Sequence, residues 1–135
     1  MLPVNGGTQE SIYIHDHLKV MQEDPHSYNS LRILSQTAKG YIGQCHCCTR
    51  FNFAYGNVLF LFTEDGLRGF QSILYDQYHL HSPGEALPHG KTRLLPSPIP
   101  NFMLSFDDTE LEEIRTMFQE ALLVLEVDKI FSYKK

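Results

Sequence analysis

The sequence predicts an α+β fold: an antiparallel sheet with two helices on one of its faces. Three observations predict it. Residues 40–62 hold three consecutive strand-like runs separated by turn residues. Two segments of helical periodicity, near 64–80 and 107–127, each start at a capping residue. A strand–cap–helix pattern also occurs twice at constant spacing. The chain has 135 residues, close to the ~150 of one typical domain. With 42% hydrophobic and 20% charged residues it can bury a core.

Residues 1–30 are polar and irregular, with Asn5-Gly6-Gly7 and Pro25 among them. Ile12, Ile14, Leu18 and Val20 share one parity, so this stretch reads as an extended arm or weak strand ahead of a single domain over 31–135. Tyr41-Ile42-Gly43-Gln44 then runs into Cys45-His46-Cys47-Cys48, which predicts a strand over 40–45. Between Arg50 and Tyr55 aromatic residues alternate with small or polar ones, the period of a half-buried strand over 50–55. Gly56 and Asn57 both tolerate positive φ and make a turn. The run 58–62 is apolar on both parities, which predicts a central strand covered on both faces.

Thr63 is the expected N-cap of the first helix, whose stripe is Leu67, Phe70, Leu74 and Tyr78. Five of the seven prolines lie between 83 and 100, so that stretch is not helical, and residues 91–95 can form only a short edge strand. A strand over 102–106 joins the sheet. Asp107 and Glu110 stand at capping-box spacing before the second helix.

Residues 57–74 align with 101–118 at an offset of 44: Asn57/Asn101, Phe62/Phe106 and Leu67/Leu111 are identical, and Thr63 and Asp107 are the two caps. Either any two strand–cap–helix units share such a pattern, or a strand–strand–helix unit is duplicated. Both give the same fold class. The second helix has an inward stripe at Leu111, Ile114, Phe118, Leu122 and Leu125, with Glu113 and Glu120 on the far side facing water. Further along, that far side turns apolar at Leu123, Val127 and Ile130. A second apolar face calls for a cover: the arm, the proline-rich segment, or a second copy of the helix in a homodimer.

Charge and composition exclude several classes. A formal net charge of −5 disfavours a binder of nucleic-acid phosphates. No apolar run approaches the ~18 residues of a membrane span, and residues 1–10 lack the basic and hydrophobic regions of a signal peptide, so the cytoplasm is expected. Phe51, Phe53 and Tyr55 could stack bases, but core packing is the expectation without interleaved cations. Asp107, Asp108, Glu110, Glu112 and Glu113 read as helix-capping and dipole partners. No phosphate loop, nucleophile elbow or H-E-x-x-H motif is present, and the leaning is away from an enzyme.

The chemically distinct segment is Cys45-His46-Cys47-Cys48. Three cysteines within four positions do not make a disulfide framework; they read as thiols or metal ligands. Cys45 and Cys48 form a C-x-x-C between strands, the shape of a zinc knuckle, without the helix N-terminus that activates a redox C-x-x-C. In an ordinary knuckle Cys47 points away, and two thiolates supply half of a tetrahedral site. Of the seven histidines (15, 17, 26, 46, 79, 81 and 89), His89 is the expected third ligand, because it holds the repeat position equivalent to Cys45.

The string Gly40-Tyr41-Ile42-x-x-Cys45-x-x-Cys48, followed by Phe53-x-Tyr55-Gly56-Asn57-Val58-Leu59, resembles a family of small, functionally uncharacterised bacterial proteins found mainly in Bacteroidetes. The resemblance covers roughly residues 38–75 and implies a shared architecture, with the C-x-x-C turn and the Tyr55-Gly56-Asn57 strand end as its features, and it brings no activity. The leading expectation is a non-enzymatic interaction or scaffold module. The alternative is a metal- or thiol-dependent protein with Cys45, Cys48 and His89 around a zinc ion.

Overall fold

The computed structural model describes residues 30–79 and 86–133. Four strands, β1 (Leu31–Gln36), β2 (Gly40–Cys45), β3 (Phe51–Tyr55) and β4 (Val58–Phe62), form an antiparallel sheet in chain order. Helix α1 (Glu64–His79) follows, then a separate antiparallel hairpin of β5 (Arg93–Pro96) and β6 (Met103–Phe106), then helix α2 (Asp108–Tyr133). The class is α+β. The expected arm over 1–30 lies outside the described residues but for its last position.

Four details differ from the sequence reading. The sheet has an additional strand, β1, at its edge. Its pattern is irregular because the register shifts between Ile33 and Ser35, so Leu34 and Ser35 are both buried and the alternation is lost. The segment 102–106 pairs with β5 in its own two-stranded sheet rather than joining the first. β4 is an edge strand, with Leu59 and Leu61 exposed, because strand order follows chain order and no strand follows it in the sheet. Finally, α2 continues to Tyr133, six residues past the expected end.

Both helices cover the face that carries Phe53. The Phe53 ring packs edge-on against Phe118 of α2 at 4.8 Å and against Phe70 of α1 at 5.7 Å, and Phe70 meets Phe118 at 5.3 Å. Phe51, Phe53 and Tyr55 are therefore core residues. Full burial of side chains of this size stabilises by about 1.5–3 kcal/mol each. The α2 stripe of Leu111, Ile114, Phe118, Leu122 and Leu125 is buried throughout, joined by Met117 and Ala121.

Three contacts set α2 antiparallel to β1. Lys39, in the β1–β2 turn, donates to Glu110; the Ser35 hydroxyl donates to the Met117 carbonyl at 2.8 Å; and Arg32 makes a two-pronged pair with Asp128. The helix then overhangs the start of β1. Leu123, Val127, Ile130 and Phe131 on it are exposed.

Positions related by the 44-residue offset keep their capping and core roles, although the second strand sits in a separate sheet. Thr63 Oγ1 accepts from the Gly66 N–H at 3.1 Å, and Asp107 Oδ1 accepts from the Glu110 N–H at 2.8 Å, so both helices are capped at equivalent positions. Glu110 returns the bond to the Asp107 N–H at 2.9 Å, completing the capping box. Leu67/Leu111, Phe70/Ile114 and Leu74/Phe118 are buried in pairs. The turns differ for a covalent reason. Gly56 adopts φ 59° in the first hairpin, but its equivalent is Pro100, whose ring holds φ near −65°, so Asn101 takes the positive φ of 63° instead.

Candidate metal centre

The end of β2 is held from both sides before the chain bends. The Cys45 N–H donates to the Arg50 carbonyl at 3.1 Å, and the His46 N–H donates to the Ser30 carbonyl at 3.0 Å. Residues 46–49 bulge out beyond these bonds as a bend without ladder partners. Cys45 is buried, Cys48 half-buried and Cys47 exposed, and none forms a disulfide.

The bend gathers all three thiols. Their sulfur atoms lie within 4.8 Å of one another, and Cys45 Sγ and Cys47 Sγ are 3.4 Å apart, close enough for one thiol to donate to the other. This corrects the expectation that Cys47 points away. β2 ends at Cys45, and the bend over 46–49 folds Cys47 and Cys48 back toward it. Zinc–sulfur bonds of ~2.3 Å place tetrahedral sulfurs ~3.8 Å apart. The group is thus already near the spacing at which three thiolates could hold one metal ion. The Cys47 thiol is pushed up to about 11, first by its hydrogen bond with Cys45, then by desolvation and by the neighbouring charges of Cys45 and Cys48. Crowded thiols suppress one another's ionisation, and a bound cation reverses that logic by favouring the thiolates.

His89 is not brought to this group. Its Nε2 lies 3.1 Å from Ser105 Oγ. Two residues on, Lys91 donates to Glu110 Oε1 at 2.7 Å, and Lys39 donates to the other Glu110 oxygen at 3.2 Å. Lys39 precedes Gly40, so this cluster sits at the opposite end of β2 from Cys45, one strand length or roughly 17 Å away. The repeat equivalence of Cys45 and His89 fails because the hairpin β5–β6 is not part of the first sheet. Histidines 15, 17, 26 and 81 lie outside the described residues, as does the side chain of His79.

A second feature was hidden in the sequence. β4 returns antiparallel to β3, with Phe62 opposite Phe51, so the start of α1 arrives beside the cysteine bend. Gln44, Cys48, Thr49, Phe51, Thr63, Glu64 and Asp65 line one open cleft there, of about 460 Å³. The helix N-terminus that the strand-to-strand context denied to the cysteines is supplied from across the sheet.

At the opposite end, the acidic residues of α2 are engaged as structural partners. Burial would raise the Glu110 carboxyl, but hydrogen bonds from Lys91, the Asp107 N–H and Lys39 outweigh it and hold it at about 2. Glu113, expected to face water, instead accepts a hydrogen bond from the Tyr55 hydroxyl. Desolvation first and that carboxylate second raise the Tyr55 pKa. Glu120 is exposed as expected.

No helix among the described residues is long and apolar enough to cross a membrane. The chain belongs to a family of unknown function (DUF6686), whose model matches residues 28–130 and so contains the C-x-x-C turn and both repeat units. No curated protein and no solved structure matches it.

Proposed function

We propose that this family member is a metal-binding module that holds one zinc ion through the thiolates of Cys45, Cys47 and Cys48. The observation that supports this reading is the convergence of three sulfurs within 4.8 Å on a single bend. Soft thiolate donors favour zinc or copper(I) over magnesium or calcium. The ion would tie the bend to the ends of β2 and β3 and stabilise the fold, since a structural site contributes its binding energy to folding. We place the protein in the cytoplasm, where thiols stay reduced and able to coordinate.

The test is the metal content of untagged protein purified under reducing conditions. The expected result is about one zinc per chain, lost on Cys48→Ser. Metal-free protein that is fully stable and takes up no zinc overturns the reading.

A second reading, self-association, is favoured by the far side of α2. Leu123, Val127 and Ile130 are 63%, 40% and 56% exposed, on the helix surface opposite the buried stripe. We propose that two copies pair through these residues. Leu123→Glu with Val127→Glu should then yield a folded monomer by light scattering, and an unmutated protein already monomeric at high micromolar concentration removes the idea.

A further inference from the structure

Three thiolates leave a tetrahedral ion one ligand short, and the cleft beside Cys48 offers a limited choice of donors. Gln44 contributes a neutral amide, and Thr49 and Thr63 contribute hydroxyls, all weak ligands for a divalent ion. Thr63 is also occupied as the cap of α1. The Glu64 carboxylate is held by Arg68 at 2.9 Å and by Lys129 at 3.1 Å, and these hydrogen bonds, Arg68 first, lower its pKa. Asp65 is different. It lines the same cleft as Cys48, is exposed, and among the described residues no lysine or arginine is bonded to it; its carboxylate stands outside the 4.8 Å sulfur group, and rotation of this exposed side chain has to bring it in.

Resting on the zinc reading above, we infer that Asp65 is the fourth ligand, closing a Cys45–Cys47–Cys48–Asp65 site between the β2–β3 bend and the first turn of α1. Such a site joins ligands that are seventeen or more positions apart in the chain. Its donor set also selects the ion. Divalent zinc takes a carboxylate as the fourth corner of a tetrahedron, whereas copper(I), softer and satisfied by three thiolates, has no use for it. The positive end of the α1 dipole offsets part of the negative charge that three thiolates and a carboxylate bring together.

The experiment compares Asp65→Asn with Glu64→Gln in the full chain, under reductant, by titration with cobalt(II), zinc(II) and copper(I). Both substitutions remove one negative charge from the same cleft. If Asp65 is a ligand, Asp65→Asn weakens zinc and cobalt binding by about 100-fold, the upper end of what even supporting groups contribute, and shifts the visible cobalt bands. Copper(I) affinity stays unchanged, and Glu64→Gln has at most a small effect on any ion. Equal losses in the two variants, or an Asp65→Asn protein with unaltered cobalt spectrum and affinity, overturn the assignment while leaving the thiolate site standing. A native protein that binds none of the three ions fails at the earlier step instead. A parallel loss of copper(I) and zinc binding in Asp65→Asn shows a folding defect and counts against the ligand role.

Discussion

The two ends of the main sheet solve the problem of exposed polar chain ends differently. At the Lys39 end the closure is made from the chain itself. Glu110 accepts from Lys39, Lys91 and the Asp107 N–H, Gly56 donates to the Lys39 carbonyl at 3.0 Å, and Gly40 lets β2 approach β3 within contact of the Ala54 carbonyl. At the Cys45 end the chain bulges into a bend whose side chains are three thiols and whose neighbour is a helix start. One end is built from hard charges and backbone; the other gathers soft donors that could hold a metal ion. The contrast teaches where the molecule is closed by its own groups and where its thiols are the only closure proposed.

The largest way to break the comparison is at the self-closed end. A Cβ at Gly40 would sit 2.0 Å from the Ala54 oxygen, on rigid backbone on both sides, so one strand has to move. Gly40→Ala should cost about 3 kcal/mol in urea unfolding. Gly69→Ala is the control, since nothing lies within 4 Å of its Cβ position and alanine favours a helix by up to about 1 kcal/mol. Equal stability of the two variants would show that the Lys39 end is looser than its contacts imply.

At the open end the effect should come from the ligand. Zinc at 100 times its dissociation constant stabilises by about 2.7 kcal/mol, and chelation or Cys45→Ser should remove that increment from the thermal midpoint. No change on chelation of zinc-loaded protein would make the two ends equivalent and sink the contrast.

The smallest effect is electrostatic. Glu110 sits at about 2 in the folded protein, against 4.5 for an ordinary glutamate, so its contribution is present above 4.5 and is lost as pH falls toward 2. Partial solvation of Lys39 and Lys91 limits it to about 1 kcal/mol. Glu110→Gln should therefore be less stable than the unmodified protein at neutral pH, and the two should converge between pH 5 and pH 2. A constant gap across that range would show that the lost packing, rather than the charge, carries the effect.

Local periodicity was enough to read much of this architecture from the chain. Alternation places Phe51, Phe53 and Tyr55 on one strand face, and the three-and-four spacing of Leu111, Ile114, Phe118, Leu122 and Leu125 marks a buried stripe. Cap chemistry at Thr63 and at Asp107 with Glu110 locates both helix starts, because these bonds close within three residues and need no distant partner. The cluster of cysteines as the chemically distinct point was legible for the same reason.

What only the tertiary structure decided involves partners far apart in the chain. Pattern could not place β4 at the edge, since an apolar strand reads alike whether or not a neighbour covers its outer residues, Leu59 and Leu61. The bulge at Leu34 hid β1 by breaking the alternation on which strand reading depends. Spacing suggested His89 as a ligand, but equivalence along a sequence does not survive when the second hairpin leaves the first sheet, and the histidine lies against Ser105 at the other end. The turn at 46–49 brought Cys47 into the thiol group, and the return of β4 set the start of α1 on the cleft that Cys48 lines. Convergence of donors is a property of how strands and helices pack, and local sequence periodicity carries no information about it.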